Sequence, residues 1–238
     1  MPASTAPVVN RRVYRLVRAT VGLVLTGVIV AGFLGSIPQL DILEQSARNL
    51  YFHVPMWFTL MVATVISAYH SLQHLRSGDR MRDLRAREAA RLALIFGVLG
   101  IVTGMVWARF TWYEGTGKWW NFDPKQSMAA VLLLIYGAYF VLRDSIENRD
   151  ARGRIAAVYN LFAVVTMPFL LYIIPRQLPS LHPGGEGSPA FSQTDLAPAM
   201  RWVFYPSVLA FIGLFWLLYT QRVRLAWIRD QLRDEPEL

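Results

Sequence analysis

The residues best suited to chemistry in this 238-residue sequence are four histidines and one tryptophan-rich run. His53 stands in Arg48-Asn-Leu-Tyr-Phe-His53-Val-Pro55, and His182 in Ser180-Leu-His182-Pro-Gly-Gly. His70 and His74 are one helical turn apart. Imidazole is the commonest side-chain metal ligand and a usual axial ligand of haem iron. Between residues 109 and 127, six of 19 residues are aromatic. There Trp119-Trp120-Asn121-Phe122-Asp123-Pro124-Lys125 sets adjacent aromatic faces before a carboxylate and a cation. The sequence contains no cysteine, which excludes disulfides, thiolate catalysis and thiolate metal ligation.

The elements that must position these residues are read from where charge is missing. Charged residues make up 17% of the chain, below the roughly 25% of soluble domains. No charge occurs in Ala19–Leu40, Val54–Leu75, Leu92–Ala108, Gln126–Leu142, Ile155–Pro175 or Trp202–Gln221. A helix needs about 20 apolar residues to cross a bilayer. The pattern predicts an all-α integral membrane protein: a six-transmembrane-helix bundle forming one domain over residues 1–238. The spans are expected near 17–37, 54–74, 91–109, 126–143, 155–175 and 201–221, with a tryptophan-rich loop at 110–127. The third and fourth stretches are short, so these helices stand near the bilayer normal or extend into flanking residues. The first follows basic residues but is too long for the apolar core of a cleaved signal peptide, and reads as a retained anchor.

Net charge is +8, and its distribution carries more information than its size. Eighteen of the 24 Lys and Arg residues fall in the two tails and the second and fourth loops, and six fall in the other loops. The positive-inside rule then puts both termini in the cytoplasm and the first, third and fifth loops outside. The basic loops read as topology determinants and contacts to lipid headgroups, not as nucleic-acid surfaces.

In this topology His53 and His182 share the outer face, while His70 and His74 lie near the cytoplasmic end of the second span. A rise of 1.5 Å per residue separates His53 from His70 by ~25 Å, so the four cannot share one metal. His70 and His74 read as interfacial polar residues. The first outer loop, from Pro38 to His53, repeats apolar residues at helical spacing, which suggests a short surface helix. Pro55 suits the first turn of the second span. Asp123 suits the N-cap of the fourth. Trp57, Trp107, Trp202 and Trp216 fit an aromatic belt at the membrane interface. The belt explains Trp119, Trp120, Phe122 and Asp123 less well. Flat aromatic walls, two imidazoles and a few cations match a porphyrin with its two propionates. The plainer alternatives are imidazoles that only form hydrogen bonds and aromatics that only anchor a loop.

The motif order adds a family resemblance. Trp119-Trp120-Asn-Phe-Asp-Pro-Lys125 resembles the tryptophan-rich "WWD" signature of haem-handling proteins in cytochrome c biogenesis. Arg48-Asn-Leu-Tyr-Phe-His53-Val-Pro resembles that family's first histidine motif, and Ser180-Leu-His182 its second. Six spans with both termini inside are similar to the cytochrome c maturation protein C branch (haem exporter protein C type), and the resemblance covers essentially the whole chain. It implies a protein of the cytoplasmic (inner) membrane that binds haem b on the extracytoplasmic, periplasmic side. By the same resemblance the haem is a transferred substrate, passed to a membrane-anchored haem chaperone for attachment to apocytochrome c. His53 and His182 would be the axial iron ligands. Trp119, Trp120, Phe122 and Asp123 would form the haem platform, and Arg48 and Lys125 would meet the propionates. Relatives work with ABC-type ATPase and permease subunits and a small single-span protein. No Gly-x-x-x-x-Gly-Lys loop occurs here, so ATP hydrolysis would fall to a partner, and no nucleophile motif points to an enzyme. The family pattern is closer to W-G-x-W-W-x-W-D. This chain has Lys118 before the pair and Phe122 in place of the third Trp, which keeps an aromatic face but loses an indole donor.

Other classes fit less well. Asp123-Pro124-Lys125 is also similar to the larger synthetase branch, so a direct haem lyase or synthetase component is the nearest alternative. A membrane cytochrome b-type oxidoreductase needs histidines near span centres, and a solute transporter usually carries intramembrane charge. The uncharged stretches hold neither.

Overall fold

The computed structural model describes residues 10–38, 43–112, 118–182 and 196–234. All regular structure among them is helical. The main helices are α1 (Arg11–Leu34), α2 (Leu50–Ser77), α3 (Arg80–Thr111), α4 (Pro124–Ser145), α5 (Arg149–Pro168) and α6 (Pro198–Asp234). A 3₁₀ turn, Glu44–Asn49, leads into α2, and a π-helical segment with a last turn carries α5 on to Arg176. Six helical stretches are long and apolar enough to cross a membrane, so the chain is a multi-pass membrane protein.

Local chemistry sets the helix boundaries. Asn10, Asp79, Asp123 and Asn148 each stand at an N-cap and accept a backbone N–H from the first turn. Gly78 ends α2 in the left-handed conformation, with φ of 67°, which a residue without Cβ adopts freely. α3 runs well beyond the uncharged stretch expected of it, and its charged first turns pack on polar partners.

Helix α2 is the centre of the bundle and packs on α3, α5 and α6, while α1 rests chiefly on α6. Glycines allow close approach at several crossings, as lipid-embedded helices require. A Cβ at Gly213 would fall 2.5 Å from Val21, and one at Gly97 would fall 2.7 Å from Leu60.

Three sequence expectations change here. In place of a surface helix reaching His53, only the Glu44–Asn49 turn is present among the described residues, and α2 has already begun at Leu50. His53 therefore lies within α2. Pro55 is then inside the helix, where its missing N–H frees the Tyr51 carbonyl. Ser207 Oγ of α6 donates to that carbonyl, so the break becomes an interhelical bond. His70 and His74 are buried within the bundle rather than exposed at its surface. His74 Nδ1 lies 2.9 Å from the Asp79 carbonyl, and its ring packs against Gly153. Around them a polar layer closes this end of the bundle. Arg143 grips Asp83 through two bonds of 2.6 and 2.7 Å, and buried Glu88 meets Arg87, Arg91 and Arg222.

Candidate functional site

At the opposite end, α2, α3, α4, the end of α5 and the His182 loop enclose an apolar cavity of about 250 Å³. His53 and His182 both line it. They come from segments 129 positions apart in sequence, and only the tertiary fold brings them together.

His53 projects from α2 between two indoles. Trp57, one turn later, meets its ring edge-on at a centroid distance of 6.3 Å, and Trp107 of α3 does so at 5.9 Å. Trp107 is itself held by its indole N–H, which donates to Ser46 Oγ at 3.1 Å. The imidazole fits because residue 104 is glycine: a Cβ there would stand 2.7 Å from His53 Cε1. Nδ1 of His53 lies 3.1 Å from Thr103 Oγ1. The Thr103 hydroxyl is already committed as donor to the Leu99 and Gly100 carbonyls, at 2.9 and 3.0 Å. With its one proton given to either carbonyl, its oxygen accepts, and the ring proton is then on Nδ1. In the neutral ring Nε2 then carries the lone pair.

His182 is oriented by a carboxylate. Its Nδ1 is 2.9 Å from Asp123 Oδ1. Asp123 also accepts from Leu181 N at 2.7 Å, Ser180 Oγ at 2.9 Å and Lys125 N at 2.9 Å. One side chain thus caps α4 and clamps the 180–182 loop onto it. Burial alone would raise the Asp123 carboxyl above its usual range. The His182 hydrogen bond and charge, with the Leu181 and Ser180 donors, outweigh that and hold it well below. The ionised carboxylate only accepts, so His182 Nδ1 is the donor, and in the neutral ring Nε2 is left with its lone pair. A histidine held through Nδ1 by a carboxylate is the usual arrangement of a metal-binding imidazole, because it fixes the ring and raises its basicity. Trp112 meets the His182 ring at 4.9 Å.

The remaining candidates separate. Trp120 lines the cavity, while Trp119 is about half exposed and Phe122 is 82% exposed. Phe122 takes a φ of 54°, unusual for a bulky residue, in the turn that delivers Asp123 to its cap. Lys125 lines the cavity, but Arg48 does not. Arg48 donates to the Gly32 and Gly35 carbonyls at 2.9 and 2.7 Å and to Gln45 at 2.9 Å. It therefore satisfies the open carbonyls at the end of α1, a structural role the sequence reading did not foresee.

Other wall residues escaped that reading. Trp57 and Trp107, assigned to the interfacial belt, are the walls beside His53. The His53/Trp57 spacing of four positions was a legible sign that the two share a helix face. Arg176 reaches the cavity through the π-helical segment, with its guanidinium 5.4 Å from the Tyr172 ring. Gln126 also lines the cavity. Its Oε1 accepts from Asn121 N at 3.3 Å, and its buried Nε2 has no hydrogen-bond partner. A buried donor without an acceptor is costly, and here it marks a place where an acceptor is missing. Among the described residues, no three His, Asp or Glu side chains gather closely enough to hold a metal ion by themselves.

Comparison with known proteins identifies relatives of the chain. The profile of the family described as heme exporter protein C matches residues 1–236. The chain is similar to heme exporter protein C of Paracoccus denitrificans, with 25% identity over 187 residues, covering 79% of this chain and 76% of the relative. It is also similar to heme exporter protein C of Escherichia coli (strain K12), with 28% identity over 179 residues, covering 75% and 69%. A shorter stretch of 76 residues is 37% identical to cytochrome c biogenesis protein CcsA of Prochlorococcus marinus, covering 30% of this chain and 23% of that one.

Proposed function

Since the chain belongs to the heme exporter protein C family, we propose that it is a haem-handling membrane protein of cytochrome c biogenesis that binds haem b in the His53–His182 cavity. The observation that carries this reading is the pair of imidazoles. Each is held through Nδ1 by an acceptor, each keeps a lone pair on Nε2 when neutral, and both line one apolar, indole-walled cavity.

The donor set suits haem better than a bare metal. Two imidazoles are too few for a structural site made of protein ligands alone. Haem iron needs only two axial ligands, because the porphyrin supplies the other four. Lys125, Arg176 and the unpartnered Gln126 Nε2 give the wall donors suited to propionates. Trp57, Trp107, Trp112 and Trp120 provide flat apolar faces and exclude water. When bound, haem would be cargo and not a resident redox centre. The protein's part is to ligate the iron through His53 and His182, meet the carboxylates and keep one edge accessible.

The charge asymmetry of the loops supports an extracytoplasmic cavity with both termini in the cytoplasm. Trp119 and Phe122, exposed beside cavity-lining Trp120, suit a surface for hand-over to a membrane-anchored haem chaperone. ABC-type ATPase and permease subunits and a small single-span protein are the further partners of this reading. A direct lyase role is the second reading, favoured by the Asp123-Pro124-Lys125 run and by the short match to a cytochrome c biogenesis protein.

The test is an absorption spectrum of the purified protein. The parent should show bis-histidine haem, and His53→Ala and His182→Ala should each lose it and partly regain it with imidazole. A bis-histidine spectrum that survives the double substitution would refute the assignment. Transfer to purified chaperone by Trp119→Ala/Trp120→Ala protein at normal abundance and parental rate would refute the platform. Maturation of a c-type cytochrome by the purified protein alone would favour the lyase reading.

A further inference from the structure

At the end of the bundle away from the haem cavity, the start of α1 and the end of α6 form a second cleft of about 800 Å³. Its wall contains Arg11, Arg15, Arg18, Arg222 and Arg224, and none of the residues lining it is acidic. We propose that this cleft is a discrete binding site for the phosphate headgroup of an anionic phospholipid. The proposal does not depend on what the other cavity binds.

Three observations carry it. The first is charge without compensation. Arg222 is pinned by Glu88 at 2.7 Å, but Arg11, Arg15, Arg18 and Arg224 make no ion pair among the described residues. Arg11, Arg15 and Arg18 also occupy the first turns of α1, whose first turn has no acidic residue. Cations at a helix N-terminus oppose the helix dipole, so an anion in the cleft relieves two repulsions at once.

The second is depth. Arg18 directly precedes the uncharged stretch Ala19–Leu40, and Arg222 directly follows Trp202–Gln221. The cleft therefore lies where two spans leave the hydrocarbon, at the level of lipid phosphates. Basic pockets between transmembrane helices at this level bind anionic headgroups. The third is construction. Gln221 Nε2 donates to Tyr14 Oη at 2.6 Å, and Tyr14 packs on Trp216 with ring centroids 6.1 Å apart, so the two walls are tied together. On the hydrocarbon side of Arg18 and Arg222, Leu23 of α1 and Leu218 of α6 are exposed, giving acyl chains apolar neighbours. A free phosphate would make no use of that position.

The experiment uses the full chain in nanodiscs of phosphatidylethanolamine containing a few per cent cardiolipin or phosphatidylglycerol, with native mass spectrometry to count retained lipid. The parent should retain anionic lipid selectively. Arg15→Gln/Arg18→Gln should weaken retention about 30-fold, from roughly 1 kcal/mol per arginine. The same number of neutralisations elsewhere on that side, Arg76→Gln/Arg154→Gln, should not. Because losing basic residues can disturb insertion, Arg15→Lys/Arg18→Lys keeps the charge but removes the planar forks, and should still weaken retention. Equal retention by the Lys variant and the parent overturns the proposal. Displacement of the lipid by millimolar inorganic phosphate does so too, since the site is then one for free phosphate. Unchanged lipid with loss of a co-purifying acidic protein would assign the cleft to a protein partner and also overturn it.

Discussion

Asp123→Asn isolates the carboxylate that orients His182. Asparagine is as good an N-cap as aspartate, so α4 should still start at Pro124 and membrane abundance should hold. The change falls on the loop. Oδ1 can still accept from His182 Nδ1 and Lys125 N, but as a neutral acceptor. The NH₂ group replaces Oδ2 and confronts the Leu181 N–H, a donor 2.7 Å from Oδ2, while Ser180 Oγ at 2.9 Å must turn its hydroxyl from donor to acceptor. A hydrogen bond to a charged group contributes about 1.5–3 kcal/mol and a neutral one about 0.5–1.5 kcal/mol. Weakening the His182 and Ser180 bonds and losing the Leu181 bond removes roughly 2–4 kcal/mol from loop docking. Part of that reaches the iron ligand, and loss of such a partner commonly costs 10–100-fold in metal affinity. Haem retention should therefore fall by about 10–100-fold, read as the rate of haem loss to excess apomyoglobin. The His53 ligand should be unaffected. The Asp123 pKa lies below the ordinary value of about 3.9, so its stabilisation is present above that value and is lost only as pH falls through the depressed folded value. A loss of haem between pH 7 and pH 5 would have to come from another group. Asp123→Asn protein at normal abundance that holds haem within twofold of the parent would refute this reasoning.

Three further outcomes follow from the same geometry. Gly104→Ala puts a methyl 2.7 Å from His53 Cε1; it should displace the imidazole at a cost of about 1–3 kcal/mol and turn a bis-histidine spectrum into a single-histidine one, checked by absorption and electron paramagnetic resonance. Arg48→Ala should lower thermal stability by roughly 1–3 kcal/mol, through the open carbonyls of α1, while changing haem affinity less than threefold; Arg176→Ala should do the reverse, weakening haem about tenfold with little effect on melting. In this cysteine-free chain, a single cysteine at Lys118 should react with an impermeant reagent in intact cells and one at Arg154 should not; the opposite pattern would invert the topology.

Much of this molecule was legible in its sequence, because the bilayer is a strict solvent. A buried charge or an unpaired backbone group is so costly there that uncharged stretches mark helices almost directly. The six spans and the cap at Asp123 follow from such local rules, whereas the two histidine motifs were legible only through a family resemblance. The ends of elements were less legible, because tertiary partners decide them. α3 extends to Arg80 among polar partners that include the Arg143–Asp83 pair, and α2 begins at Leu50, so Pro55 lies inside it and its freed carbonyl finds Ser207. The role of a cation was not legible at all. Sequence pointed to Arg48 and Lys125 as propionate partners and gave Arg176 no role, and only packing shows that Arg48 is spent on the end of α1 while Arg176 lines the cavity. The same holds for Trp57 and Trp107. An interfacial belt and a cavity wall use the same residue type at the same depth, and they differ only in which face a neighbouring helix covers. Sequence by itself determined which segments enter the membrane and which residue types gather at each end. The tertiary structure alone decided which lone pairs and rings meet, because meeting depends on helix rotation and on glycine-sized gaps such as Gly104, which no local pattern encodes.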